Sequence, residues 1–434
     1  MSESAKRVVI TGLGIVSPLG IGIESFEAGL KSGKSGIAPI SLISHSAAPG
    51  NVGAEVKELT DETAKSTWLK GQRKSFKVYS RDIQLGVLAA ILGIEHSGLK
   101  VEELNHERIG VEFGSNQMYS PPENLQSGAD AAADENHIFH FDRWGQTGLF
   151  AMEPLWLLKF LPNMPSCHIS ILADARGPSN SLTLAEASGN ASIGEAIRIM
   201  RRNQADVMIT GATGTRTVSI KSIHSRLQDE LADHPGDPPE TWSRPFDATR
   251  NGQVLGEGAC SVILETEAFA TARGATIYGS ILGTGSSCVI DKQGRPNFQL
   301  AFFNAAKAAF RDAGVTADDI GHINAFGLST VRCDAEEAAA IHDLFGARAE
   351  QIPVTAFKSQ LGNSGAGSGP LELAASLLGL RAGVVFPTLN YRTPGPACRL
   401  NIVHGAPVPV SNKLFLKLSV TDIGQATALI AAGA

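Results

Sequence analysis

The stretch RVVITGLGIV, residues 7–16, is apolar on both faces and rich in β-branched residues, the pattern of a strand buried on both sides. Working outward, IQLGVLAAILGIEHSGL (83–99) has helical patterning and RIGVEFGSN (108–116) reads as another strand. After GEAIRIMRRNQAD come two further apolar strands, VMITGAT (207–213) and CSVILE (260–265). Strands alternating with helices predict an α/β protein built on mostly parallel sheets. Lys6 and Arg7 ahead of an apolar run imitate a signal peptide, but Gly12, Gly14, Pro18 and Gly20 interrupt it and no small-residue cleavage pattern closes it. A buried strand followed by a turn is the better reading. Nowhere do about 18 uninterrupted apolar residues occur, so no membrane span is predicted.

The second half repeats the first. ATIYGSILGTG (275–285) takes the part of the opening strand, FQLAFFNAAKAAFRDAGV (298–315) echoes the first long helix, and DIGHINAFG (319–327) echoes RIGVEFG. GPLELAASLLGLRAG (369–383) then stands where the helix after SLTLAEASG (181–189) stands in the first half. An internal duplication follows, with halves at 1–265 and 266–434. The polar, proline-bearing region MYSPPENLQSGADAAADENHIFHFDRWG (118–145) is expected to form a surface excursion or a cap at an interface, extending to about 160.

A chain of 434 residues with 43% hydrophobic and 18% charged residues is an ordinary globular protein with room for a large core. A net charge of −6 without a long basic run argues against nucleic acid as a partner. Cys167, Cys260, Cys288, Cys333 and Cys398 form no CxxC pair and no Cys/His ligand spacing, so free thiols in a reducing cytoplasm are expected, with no disulfide framework and no metal.

Several segments together resemble the β-ketoacyl-acyl carrier protein synthases, the condensing enzymes of the thiolase fold: RVVITGLGIVSPLG, LPNMPSCHISILADARGPSNSLTLAEA, SRPFDATRNGQVLGEGACSVILE (243–265), INAFGLSTVRCDAEEAAAI and FKSQLGNSGAGSGPLELAASLLGLRAGVVFPTLNY. The resemblance implies two duplicated βα halves in a layered α-β-α-β-α architecture, no cofactor, a dimer and an acyl carrier protein as partner. It also implies a nucleophilic cysteine at a helix start, where thiolate is favoured, and two histidines that donate hydrogen bonds to a developing enolate.

All three positions differ here. Glu186 in LAE stands in the place of the family cysteine, Phe326 in NAFGLST in that of the first histidine, and Asn363 in KSQLGN in that of the second. Lys358 matches the family lysine and Glu337 a family glutamate. The glycine-rich C-terminal loop reads TDIGQA, so Thr421, Asp422, Ile423 and Gly424 stand where relatives gate the pocket, with Asp422 replacing an aromatic residue. The plain structural alternatives stand beside these matches. Thr183 and Glu186 have the spacing of a capping box, or Glu186 pairs with Lys358. Phe326 fills the core, Asn363 shapes a turn, and Lys358 and Glu337 form an ion pair.

A glutamate attacking a thioester gives a mixed anhydride that water destroys, and its charge repels a malonyl carboxylate. The leading expectation is therefore a cytoplasmic, non-condensing subunit of fatty-acid or polyketide metabolism, similar to chain-length factors and paired with an active ketosynthase. The alternatives are an enzyme using Glu186 to decarboxylate or hydrolyse an acyl or malonyl thioester, and a homodimeric binder of acyl groups or carrier protein.

Overall fold

A computed structural model describes residues 7–43 and 46–434; Lys6 of the signal-like start lies outside them. The first half supplies strands β1 (Val8–Ser17), β2 (Ile109–Ser115), β3 (Ser179–Asn180), β4 (Val207–Thr215) and β5 (Glu257–Thr266). The second supplies β6 (Gly279–Cys288), β7 (His322–Asn324), β8 (Pro353–Thr355), β9 (Leu414–Val420) and β10 (Gln425–Gly433). In the first half the order across the sheet is β3-β2-β4-β5-β1, and in the second β8-β7-β9-β10-β6, which is the same path. Directions repeat too. β2 runs parallel to β3 and β4, while β5 is antiparallel to β4 and β1. β7 likewise runs parallel to β8 and β9, while β10 is antiparallel to β9 and β6. The halves meet where Val9 and Ile10 pair with Ser280 and Gly279.

The duplication expected from short apolar strings is thus present in strand order and direction. The expectation of mostly parallel sheets is corrected to mixed sheets. The physical reason is that β4–β5 and β9–β10 run on as antiparallel neighbours, and a buried antiparallel strand shows the same unbroken apolar run as a parallel one.

Packing repeats at atomic detail. Helix α1 (Arg81–Ser97) lies so close on β1 that a Cβ on Gly14 would sit 1.8 Å from the Ala89 carbonyl oxygen, and one on Gly12 2.5 Å from that of Gly93. Among the labelled helices that follow are α2 (Met164–Leu172), α3 (Ser188–Arg201), α4 (Ser219–Gln228), α5 (Phe298–Ala313), α6 (Val331–Phe345) and α7 (Ser368–Arg381). Helix α5 meets β6 in the same way: a Cβ on Gly285 would lie 2.1 Å from the Ala305 oxygen, and one on Gly283 2.4 Å from that of Ala309. Two glycines spaced by two in TGLG and in LGTG therefore serve one purpose, admitting a helix backbone to a strand backbone.

The layers are α1 and α2, then the first sheet, then α3 and α7, then the second sheet, then α5 with α6 on it. Helix α7 is buried from Ser368 to Leu380, as a helix apolar on every side must be. A large core lies in this middle layer, where Leu13, Ile197, Leu264, Leu371, Leu377 and Leu429 come together.

Candidate functional site

The residues placed at the altered positions converge at the start of α3. A short turn, Ala185–Ala187, leads into the helix, and Ala185 takes the left-handed conformation at φ 43°, a sharp bend that presents Glu186. The helix entry is held by Ser188, whose Oγ accepts the Leu184 N–H at 2.7 Å. The expected Thr183–Glu186 capping box is absent: the bend turns the Glu186 side chain away from the backbone and toward β4.

Glu186 Oε1 accepts from Arg216 Nη1 at 2.8 Å and from Asn363 Nδ2 at 3.0 Å. Arg216 also donates to Gln253 Oε1 at 3.2 Å and, through Nη2, to Asp229 Oδ2 at 2.9 Å. Asn363 Nδ2 donates to Gln253 Oε1 as well, at 2.6 Å, so both of its amide hydrogens are committed. Its Oδ1 accepts from Gly365 N–H and Ser368 Oγ, so the residue holds the turn into α7 and contacts the site at once. Burial opposes the Arg216 charge, but Glu186, Asp229 and Asp422 outweigh it and hold the guanidinium above its usual pKa. The expected Glu186–Lys358 pair does not form, because a nearer guanidinium from the end of β4 takes the carboxylate.

Phe326 is a buried core aromatic, 1% exposed and tilted against Phe302. Its backbone N–H donates to Glu337 Oε1 at 2.6 Å, and its carbonyl oxygen accepts from Lys358 Nζ at 2.8 Å. The same ammonium lies 3.9 Å from the ring centroid, a cation–π contact. Lys358 pairs with Glu372 on α7 at 2.7 Å, and Lys417 on β9 holds the other oxygen of that carboxylate. The expected Lys358–Glu337 ion pair is corrected accordingly: Glu337 is occupied by the Phe326 and Gly327 N–H groups. Desolvation raises its pKa to about 7, against those two hydrogen bonds. Desolvation also lowers Lys417 to about 8, with Glu372 opposing the shift.

A cleft of about 430 Å³ opens in front of Glu186. Its charged walls are Glu186, Asp229, Glu230 and Asp422 against Arg216 and Arg332; its apolar walls include Phe298, Phe326, Leu328 and Val420. Of the C-terminal loop, Thr421 and Asp422 line the cleft, whereas Ile423 and Gly424 lie outside its lining. The loop is a tight turn between β9 and β10, closed by Gly424 N–H to the Thr421 carbonyl at 3.0 Å. Partial desolvation and the carboxylates of Glu186 and Asp229 raise the Asp422 pKa. Cys333 reaches the cleft wall, but burial and the neighbouring Asp334 and Glu337 push its pKa well above the ordinary thiol range, so it holds a thiol rather than a nucleophilic thiolate.

Arg216, Asp229, Gln253, Glu372 and Lys417 were not foreseen in the sequence. A signal existed for three of them. Arg216 follows directly on the carboxyl end of a buried strand that runs parallel to its neighbour, the place where α/β sheets gather ligands. Glu372 in PLELAAS and Lys417 in LFLKLSV are lone charges inside apolar runs, which calls for a buried partner.

The sequence matches the family model described as Beta-ketoacyl synthase, N-terminal domain, over residues 5–270 and its C-terminal counterpart over 278–392. It is 35% identical to 3-oxoacyl-[acyl-carrier-protein] synthase 2 of Coxiella burnetii over 399 residues, covering 92% of this chain and 91% of that protein. It is 32% identical to nodulation protein E of Rhizobium meliloti over 402 residues, with 93% of each covered. Among solved structures it is similar to the ishigamide ketosynthase/chain length factor, with a TM-score of 0.82, 27% identity and 99% of each chain covered.

Proposed function

The chain belongs to the β-ketoacyl synthase family of fatty-acid and polyketide biosynthesis, and from that premise we propose that it is a non-condensing, chain-length-factor-like subunit that pairs with an active ketosynthase. The observation that carries this reading is the Glu186–Arg216 ion pair at the position matched to the nucleophile. Condensation needs an acyl acceptor and donors aimed at an enolate oxygen. The acceptor is a carboxylate engaged by Arg216 and Asn363. Asn363 has no amide hydrogen left, and the Phe326 backbone N–H is committed to Glu337. Four carboxylates against two guanidiniums line the cleft, an excess of negative charge that disfavours a malonyl carboxylate. The same commitments weigh against Glu186 as a base or nucleophile in decarboxylation or hydrolysis.

The surface supports partners. The excursion exposes Phe141, Leu149, Phe150 and Leu155, and α4 exposes Ile223 and Leu227, apolar area that suits pairing with a second subunit. A groove lined by Lys65, Arg73, Lys77 and Phe76, with Glu62, offers cations to an acidic carrier protein on a chain whose net charge is −6. Among the described residues no helix is long and apolar enough to cross a membrane. A cytoplasmic location is proposed on the family resemblance and on five cysteines without a disulfide-like spacing.

Co-expression with a cysteine-bearing synthase tests the proposal. A stable mixed dimer is expected; exclusive self-pairing contradicts it and favours the homodimeric binder.

A further inference from the structure

The cleft of about 430 Å³ in front of Glu186 joins two kinds of wall. Phe298, Phe326, Leu328 and Val420 give it apolar surface, and Glu186, Asp229, Glu230 and Asp422 give it carboxylates. The neighbouring cations do not balance these acids. Arg216 is shared between Glu186 at 2.8 Å and Asp229 at 2.9 Å, so one guanidinium answers two carboxylates. Each of the two keeps an oxygen, Glu186 Oε2 and Asp229 Oδ1, without a partner among the described residues. Arg332 donates to Glu336 at 2.6 Å and to the Pro296 carbonyl, and Glu336 is not a wall of the cleft. Burial, Glu186 and Asp229 raise the Asp422 pKa against the pull of Arg216, so the field stays negative with the guanidinium in place. Thr330 adds an open acceptor. It lines the cleft, is 5% exposed, and its hydroxyl has no partner among the described residues, which marks a place where a group from outside the chain completes the hydrogen bonding. Glu186 and Asp422 stand where the resemblance places a cysteine and an aromatic residue, so this charge is not what the resemblance implies.

We propose that the cleft takes an acyl chain that carries a protonated amine: the methylenes lie against the apolar walls, and the ammonium group is held by the open oxygens of Glu186 and Asp229 and by Asp422, with Thr330 as a further acceptor. The inference rests on the reading of this chain as a non-condensing member of an acyl-handling family, and it adds the class of acyl group handled. An ammonium has three donors and no acceptor, so it satisfies carboxylate oxygens that nothing else in the cleft engages. A methyl terminus gains only the contact of its own surface. A carboxylate terminus adds a like charge to a cleft already in excess.

The test measures binding of three S-alkyl-pantetheines by calorimetry, with aminohexyl, heptyl and carboxypentyl chains, using the protein with whatever subunit it pairs with. The three are close in length and end in an ammonium, a methyl and a carboxylate; as thioethers, none can acylate the protein. The aminohexyl compound is expected to bind roughly tenfold tighter than the heptyl one, and the carboxypentyl compound weakest. Asp422→Asn combined with Glu230→Gln, at two exposed positions, is expected to cut that preference about threefold, whereas Asp422→Glu keeps it. If the double variant does not fold, a crystal structure of the wild type with S-aminohexyl-pantetheine decides. A nitrogen within about 4 Å of a carboxylate oxygen of Glu186, Asp229 or Asp422 supports the proposal, and a nitrogen anywhere else overturns it. Equal affinity for the ammonium and methyl ends, a preference for the carboxylate, an unchanged preference in the double variant, or no binding of any of the three also overturns it. Chain elongation by the wild type would sink the functional reading instead, and is read in a separate assay.

Discussion

Glu186 turns toward Arg216 instead of capping α3 because the left-handed Ala185 points its side chain at the end of β4. Replacing it with cysteine supplies a sulfur and frees one Asn363 amide hydrogen, the other staying on Gln253, but it does not supply the second donor, since Phe326 has no side-chain N–H. Glu186→Cys is therefore expected to yield no elongated product from acyl- and malonyl-carrier protein by mass spectrometry. Losing one oxyanion donor alone typically costs about 100- to 1,000-fold. A product at rates near those of an ordinary synthase would contradict the account of Phe326 and Asn363. Glu112 offers a second residue-scale test. Buried on β2 with neither carboxyl oxygen hydrogen-bonded among the described residues, it is raised to about 7 by desolvation and then by Glu195. The folded protein thus keeps a proton that the unfolded chain releases at its lower, ordinary pKa. Its contribution is present at acid pH and is lost as pH rises through about 7. Glu112→Gln should shrink the stability difference between pH 5 and pH 8 by on the order of 2 kcal/mol in urea unfolding. An unchanged pH profile contradicts a protonated Glu112.

Between elements, one carboxylate joins three of them. Glu372 on α7 holds Lys417 of β9 and Lys358 of the turn after β8, all within 1% exposure of the side chain. Glu372→Gln leaves two buried ammonium groups without their anion, so a loss of about 3–5 kcal/mol is expected in denaturant midpoints. A change below about 1 kcal/mol would show that the trio is not a closed ion network. The elements were legible to different degrees for physical reasons. β1, α1, α5 and α7 announced themselves through long apolar patterns. The antiparallel course of β5 and β10 did not, since side-chain pattern records burial and not strand direction. The ion partners were hidden because pairing depends on the fold: Arg216 is 30 positions from Glu186, and Asn363 is 177. The altered positions themselves could be named from sequence, whereas what each one touches could not.

Over the whole molecule, two copies of one βα path enclose α3 and α7, and we propose that the halves divide at 265/266, at the last residue of β5. The matched positions come from both halves, Glu186 from the first and Phe326 and Asn363 from the second, so the cleft exists only when the halves are docked. The chain has the layers of the fold, while its cleft is walled by paired charge. The most direct measurement is the incubation of the purified protein, alone, with acyl-carrier protein and malonyl-carrier protein, followed by intact-mass analysis of protein and carrier. The account predicts no acyl adduct on the protein and no 3-oxoacyl product on the carrier; a carrier bearing a chain two carbons longer would contradict it.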